Sequence, residues 1–74
     1  MKIYYTAHAR QRMDERNITH EVVLQTIQQP ESEQKANFGR IHRFRKVGKQ
    51  IIRITFALRA ERYIIITVAS NKAI

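Results

Sequence analysis

The residues best able to do chemistry fall into two groups. The first lies near the start, where His8 is followed by Arg12, Glu15 and Arg16. Spacings of four and seven put His8, Arg12 and Glu15 on one side of a helix. A histidine beside arginines can titrate near neutrality and pass a proton while guanidinium groups hold a phosphate. The same residues also suit a plainer role. His8 would then cap or pack the first helical turn, and Arg12 and Arg16 would pair with Glu15 or Asp14 in solvent. The second group is Arg43 and Arg45 on one strand and Arg53 on its neighbour. Same-face residues directly opposed across a hairpin lie within about 5 Å. Guanidinium groups that close repel one another unless an anion joins them. Their plainer reading is as ordinary solvent-facing arginines. Tyr63 and Thr67 add a ring on which a base can stack and a hydroxyl. His42, between Arg40 and Arg43, is expected to point inward with a structural part. His20 is expected at the surface.

The elements that must position these groups can be read from the pattern. Met1 to Thr6 is β-prone and reads as an edge strand or a lead-in. Thr6 can cap a helix over Ala7 to Asn17, where Ala9, Met13 and Arg16 recur at helical spacing. Thr19 caps a second helix, with Val22, Val23 and Ile27 on its buried face, that Gln28, Gln29 and Pro30 stop. Glu31 to Asn37 is polar and reads as a loop, with room for a short edge strand. Strands follow over Arg40 to Val47, Gln50 to Leu58 and Arg62 to Ala69, turned at Gly48-Lys49 and at Arg59-Ala60-Glu61. The tail from Ser70 to Ile74 reads as frayed. The expected fold is a single α+β domain over residues 1–74. Two N-terminal helices would pack on one face of a three- to four-stranded antiparallel sheet. That covered face would carry Phe44, Ile52, Ile54, Phe56, Ile64, Ile66 and Val68. The other would carry Arg43, Arg45, Arg53, Thr55, Tyr63 and Thr67.

Composition narrows the partners. Lys and Arg number 14 against 6 for Asp and Glu, a formal charge of +8 in 74 residues. Arginine predominates, and its planar fork suits phosphates and stacks on bases. A domain this basic carries the electrostatic footprint of a nucleic-acid binder, with an acidic protein as the competing partner. The chain has no cysteine and reads as cytoplasmic. No apolar run is long enough for a leader or a membrane span. Two glycines are too few for a phosphate-cradling loop, and three histidines without a repeated spacing do not form a metal pattern. No cofactor or metal is expected.

The stretch from Thr6-Ala7-His8-Ala9 through Arg12-Met13-Asp14-Glu15-Arg16-Asn17-Ile18 resembles the opening motif of the bacterial family catalogued as domain of unknown function 4258. That motif typically reads H-A-x-x-R-M-x-E-R-G-I. Asn17 stands where glycine is usual, and asparagine tolerates the left-handed backbone of such a turn. The resemblance covers about Thr6 to Ser70. More remotely, Glu15 to Pro30 and the closing Ile64 to Ser70 resemble the BrnT toxins and the RelE-like toxin ribonucleases. The arginine that BrnT-like chains tend to carry near the end of the last strand is absent, with Ser70 and Asn71 there instead.

This second resemblance implies a RelE/BrnT-like fold and a metal-independent endoribonuclease of a toxin–antitoxin pair. RNA would be its substrate and an acidic antitoxin its partner. In that reading His8 transfers the proton, and Arg12, Arg45 and Arg53 hold the phosphate. Arg16, Arg43, Tyr63 and Thr67 bind RNA. The alternative is a non-catalytic module that binds RNA or an acidic protein. Either leaves room for a homo-oligomer.

Overall fold

The computed structural model describes residues 2–72. The elements run β1 (Lys2–Tyr5), α1 (Ala7–Arg16), α2 (His20–Gln28), β2 (Ser32–Lys35), β3 (Arg40–Val47), β4 (Gln50–Arg59) and β5 (Arg62–Lys72). The strands form one five-stranded sheet in the order β1-β5-β4-β3-β2. β1 runs parallel to β5, and the other pairs are antiparallel.

This corrects the expected three- to four-stranded antiparallel sheet under two helices: the sheet has five strands and is mixed. Both extra strands are short edges, and an edge can pair through its backbone without a strong apolar pattern. Ser32–Lys35 is exposed throughout and adds only main-chain pairing and one ion pair. β5 lies between β1 and β4, and of the run Ile64–Ile66 only Ile65 is fully buried. The strand runs on through Ser70 to Lys72, where fraying was expected. Ala73 and Ile74 lie outside the described residues.

The helices start and stop where their caps dictate. The Thr6 hydroxyl accepts from the Ala9 amide at 3.0 Å, and Thr19 does the same for Val22 at 3.2 Å. Asn17 ends α1 in the left-handed region, with φ 54° and ψ 41°. α1 packs chiefly on β5, and α2 on β3 and β4. Between helices and sheet lies a core of Ala9, Val23, Ile27, Ile52, Ile54, Phe56, Ile65 and Val68, closed by Ile18.

Two features set which side chains face that core. The two-residue turn at Gly48-Lys49 pairs Val47 with Gln50. Odd residues of β3 therefore share a face with even residues of β4. Arg43 opposes Ile54, Arg45 opposes Ile52, and Phe44 opposes Arg53. The second feature is a bulge. Thr55 pairs with Thr67 but Phe56 pairs with Ile65, so Ile66 is the extra residue and the alternation along β5 inverts. Phe44, Ile64 and Ile66 thus leave the expected core, and Ile65 enters it. Arg43, Arg45 and Tyr63 cross to the helix-covered side.

Candidate functional site on the open sheet face

The sheet face opposite the helices is basic. Register assigns to it Lys2, Arg40, Lys46, Arg53, Arg59 and Arg62, and among the described residues no strand position on it is acidic. The one strand acid, Glu33, opposes Arg43 on the other side, where the two ion-pair at 2.8 Å. With no acid interleaved, such a face attracts an extended polyanion.

Across this face runs a polar row. Thr67 on β5, Thr55 on β4 and His42 on β3 are successive register partners. His42 Nδ1 hydrogen-bonds the Thr55 hydroxyl at 2.7 Å. At the other end, His8 Nε2 hydrogen-bonds the Thr67 hydroxyl at 3.1 Å. A hydroxyl gives one proton and accepts twice, so each threonine can serve either tautomer of its imidazole.

Backbone contacts place His8 there. The Thr6 amide donates to the Ile65 carbonyl and its hydroxyl to the Ile66 carbonyl, both at 3.0 Å. One residue thus caps α1 and ties the helix start to the bulge in β5. Ala9 then faces the core, and His8 turns to Thr67, the next residue after the bulge.

Arg53 lies beside Thr55 and opposite Phe44. Its Nε is buried with no hydrogen-bond partner. A buried donor left unpaired is costly, and the register sets the guanidinium it belongs to on the open face. Burial, and then the charge of Arg53, hold His42 below the ordinary imidazole pKa. His42 is therefore biased toward the neutral form, able to accept a proton near neutral pH.

The sequence-derived residues separate sharply. His8, Arg53 and Thr67 come together on the open face. Arg12 lies one helical turn from His8, bonded to Glu15 at 3.0 Å, and Arg16 is 3.8 Å from the same carboxylate. Arg43 and Arg45 do not join them. Arg43 Nη1 donates to the Ile27 carbonyl at 2.8 Å and Arg45 Nη1 to the Gln29 carbonyl at 2.7 Å, so both satisfy the C-terminal carbonyls of α2. Burial opposes the Arg43 charge, but hydrogen bonds to Glu33 and Tyr63 outweigh it and raise its pKa. Tyr63 packs on Phe56 with ring centroids 5.2 Å apart. His42, expected to point inward, instead completes the polar row. The signal for it was the two-residue turn, whose parity sets His42 beside Thr55 and Arg53.

A concave region of about 720 Å³ lies away from the open face, between α1, α2 and β1, lined by Tyr5, Arg10, Met13, Asp14 and His20 among others. The Tyr5 hydroxyl hydrogen-bonds His20 Nδ1, and the Arg10 guanidinium sits 5.5 Å from the Tyr5 ring centroid. Burial first, and the charge of Glu21 after it, raise the Tyr5 pKa against the opposing effect of Arg10. This cleft offers one arginine with Asp14 beside it, a weaker polyanion site than the sheet face. Among the described residues no cluster of three or more His, Cys, Asp or Glu gathers for a metal, and no helix is long and apolar enough to cross a membrane.

The family model described as Domain of unknown function (DUF4258) matches residues 5–69. No curated protein and no solved structure matches the chain.

Proposed function

We propose that this chain, which belongs to the DUF4258 family, binds RNA on its open sheet face and cleaves it there by internal transphosphorylation. The observation that carries the reading is the row His8–Thr67–Thr55–His42 beside the unpartnered Arg53 Nε. RNA supplies its own nucleophile. His42, held neutral by burial and Arg53, takes the proton of a ribose 2′-hydroxyl. The 2′-oxygen attacks the adjacent phosphorus, and the bond to the 5′-oxygen breaks. His8 in its protonated form gives its proton to that leaving oxygen. The products are a 2′,3′-cyclic phosphate and a 5′-hydroxyl end. Thr55 and Thr67 orient the imidazoles, and Arg53 stabilises the extra charge on the phosphoryl oxygens, a contribution of about 10²–10³ in rate for one such donor.

In this scheme Arg12 is a flanking phosphate contact. Arg45, Arg43 and Tyr63 take no part, because their side chains belong to the helix-covered face. A toxin of this kind needs a neutralising partner. The basic face suits an acidic antitoxin, since complementary charge speeds encounter and excludes wrong partners.

One observation favours a second reading, a non-catalytic RNA-binding module. The two histidines are separated by β4 and β5, and β3 to β5 spans about 10 Å. A single phosphate must bridge that row for both to act. The test is incubation of RNA with the purified chain in EDTA, beside His8→Ala and His42→Ala. The proposal expects cyclic-phosphate products from the wild type and none from either variant, with RNA binding retained in all. Binding without cleavage by the wild type would establish the second reading.

A further inference from the structure

We infer that the substrate is single-stranded and that two of its bases stack on Tyr4 and Phe38, which flank the row next to the histidines. This rests on the reading of the open face as an RNA surface, and extends it to the nucleobases.

Tyr4 stands on the edge strand β1 and is 47% exposed. Its register partner is Ile64, which opposes Ala57, which opposes Arg40. These residues form one row across the open face. Ala57 is two residues from Thr55 and Arg40 two from His42, so this row is the pleat next to the histidine row. The Arg62 guanidinium lies 5.6 Å from the Tyr4 ring centroid. That cation fixes the ring and adds to its attraction for a base.

Phe38 lies at the tip of the turn between β2 and β3, two residues before Arg40 at the other end of the row. It is 86% exposed, the most open large apolar side chain among the described residues. Its backbone is left-handed, with φ 61° and ψ 34°, a region that resists side chains other than Gly, Asn and Asp. Phe38 and Gly39, both at positive φ, make the tight turn between β2 and β3, as Ala60 and Glu61 do between β4 and β5, so the turn sets this backbone. The ring it carries packs on nothing and is left open to a ligand.

The surroundings select nucleic acid as that ligand. Lys2, Arg40, Arg59 and Arg62 lie around the rings, and the acid at this end, Glu61, sits in the turn between β4 and β5. β1 and β3 are three strand spacings apart, about 15 Å, so the rings take separate bases of one strand. Duplex RNA stacks its bases internally and cannot offer them to side chains, which restricts the substrate to unpaired segments. Stacking of this kind tolerates any base, so these rings position the strand without reading it.

The experiment titrates a labelled short oligouridylate, and the same backbone without bases, into wild type, Tyr4→Ala, Tyr4→Phe, Phe38→Ala and Phe38→Gly. Thermal unfolding confirms that each variant is folded. Loss of one stacking ring is expected to weaken oligouridylate binding by about 5- to 100-fold. Tyr4→Phe should bind as the wild type does, and Phe38→Gly should match Phe38→Ala while unfolding at a higher temperature. The abasic polymer should bind weakly and equally to all. The salt dependence should be unchanged, because no phosphate contact is lost. Wild-type affinity in Tyr4→Ala and Phe38→Ala would overturn this inference and leave the RNA surface standing. Failure of the wild type to bind any RNA would remove the underlying reading as well. Equal loss of affinity for the abasic polymer would overturn stacking and assign the rings to some other contact with the anion.

Discussion

Replacing Arg43 with alanine should damage the fold and leave RNA recognition intact. Arg43 Nη1 donates to the Ile27 carbonyl and its Nε to Glu33, each at 2.8 Å. The guanidinium also lies 5.0 Å from the Phe56 ring centroid. The charge-assisted bond to a partly buried carbonyl contributes about 1.5–3 kcal/mol. Glu33 is half exposed, so solvent screening reduces its ion pair to less than about 1 kcal/mol. The contact with the ring adds about 0.5–1 kcal/mol. These share one side chain and do not simply add, which gives a loss of about 2–4 kcal/mol. A domain of this size has a total of roughly 4–11 kcal/mol, so the loss is a large share. The assay is equilibrium urea unfolding followed by circular dichroism, with a lower midpoint at constant slope as the expected result. RNA affinity of the folded variant should match the wild type. A wild-type midpoint in Arg43→Ala would refute the assignment of this arginine to the α2–sheet junction.

Further perturbations test other parts of the account. Phe56 is fully buried at the centre of the core, and Phe56→Ala should cost about 3–5 kcal/mol, read from the same urea transitions. The folded pKa of His42 lies below its unfolded value near 6.5. The neutral ring is therefore favoured by folding, and its stabilisation, present above that value, is lost as pH falls through the folded pKa. The urea midpoint should drop on acidification across that window, and His42→Gln should lose that part of the drop. RNA cleavage should fall over the same acid range, because the base becomes protonated. RNA binding should weaken with salt at a log–log slope near −3 if about four phosphates are neutralised, and Arg53→Ala should make that slope shallower by about one contact.

Much of the chain's local structure was legible because local rules decide it. Thr6, Thr19, Asn17 and Pro30 bound the helices where capping chemistry and proline sterics predict. Gly48-Lys49 turns the hairpin where expected. The faces of the sheet were harder. Hydrophobic alternation alone grouped Phe44 with Ile54 and Arg43 with Arg53, whereas the parity of a two-residue turn reverses both. That part was present in the sequence, in the length of the turn. The bulge at Ile66 was not, because three consecutive isoleucines give no sign of which one leaves the ladder. Ser32–Lys35 pairs through its backbone, so its side chains carried no strand pattern. Of the site, His8, Arg53 and Thr67 were recognisable by type. Their convergence with His42 depends on the bulge and on Thr6 binding the Ile65 and Ile66 strand carbonyls, which are long-range contacts.

The central claim is that RNA occupies the open face of the sheet. The most direct measurement is the map of backbone and ring resonance changes in the labelled chain as a short single-stranded RNA is titrated in. The account predicts that shifts centre on His8, His42, Arg53, Thr55 and Thr67 and spread to Tyr4 and Arg40, while Arg43, Arg45 and Ile27 stay still. Shifts confined to α2, or to the cleft of Tyr5, Arg10 and His20, would contradict it.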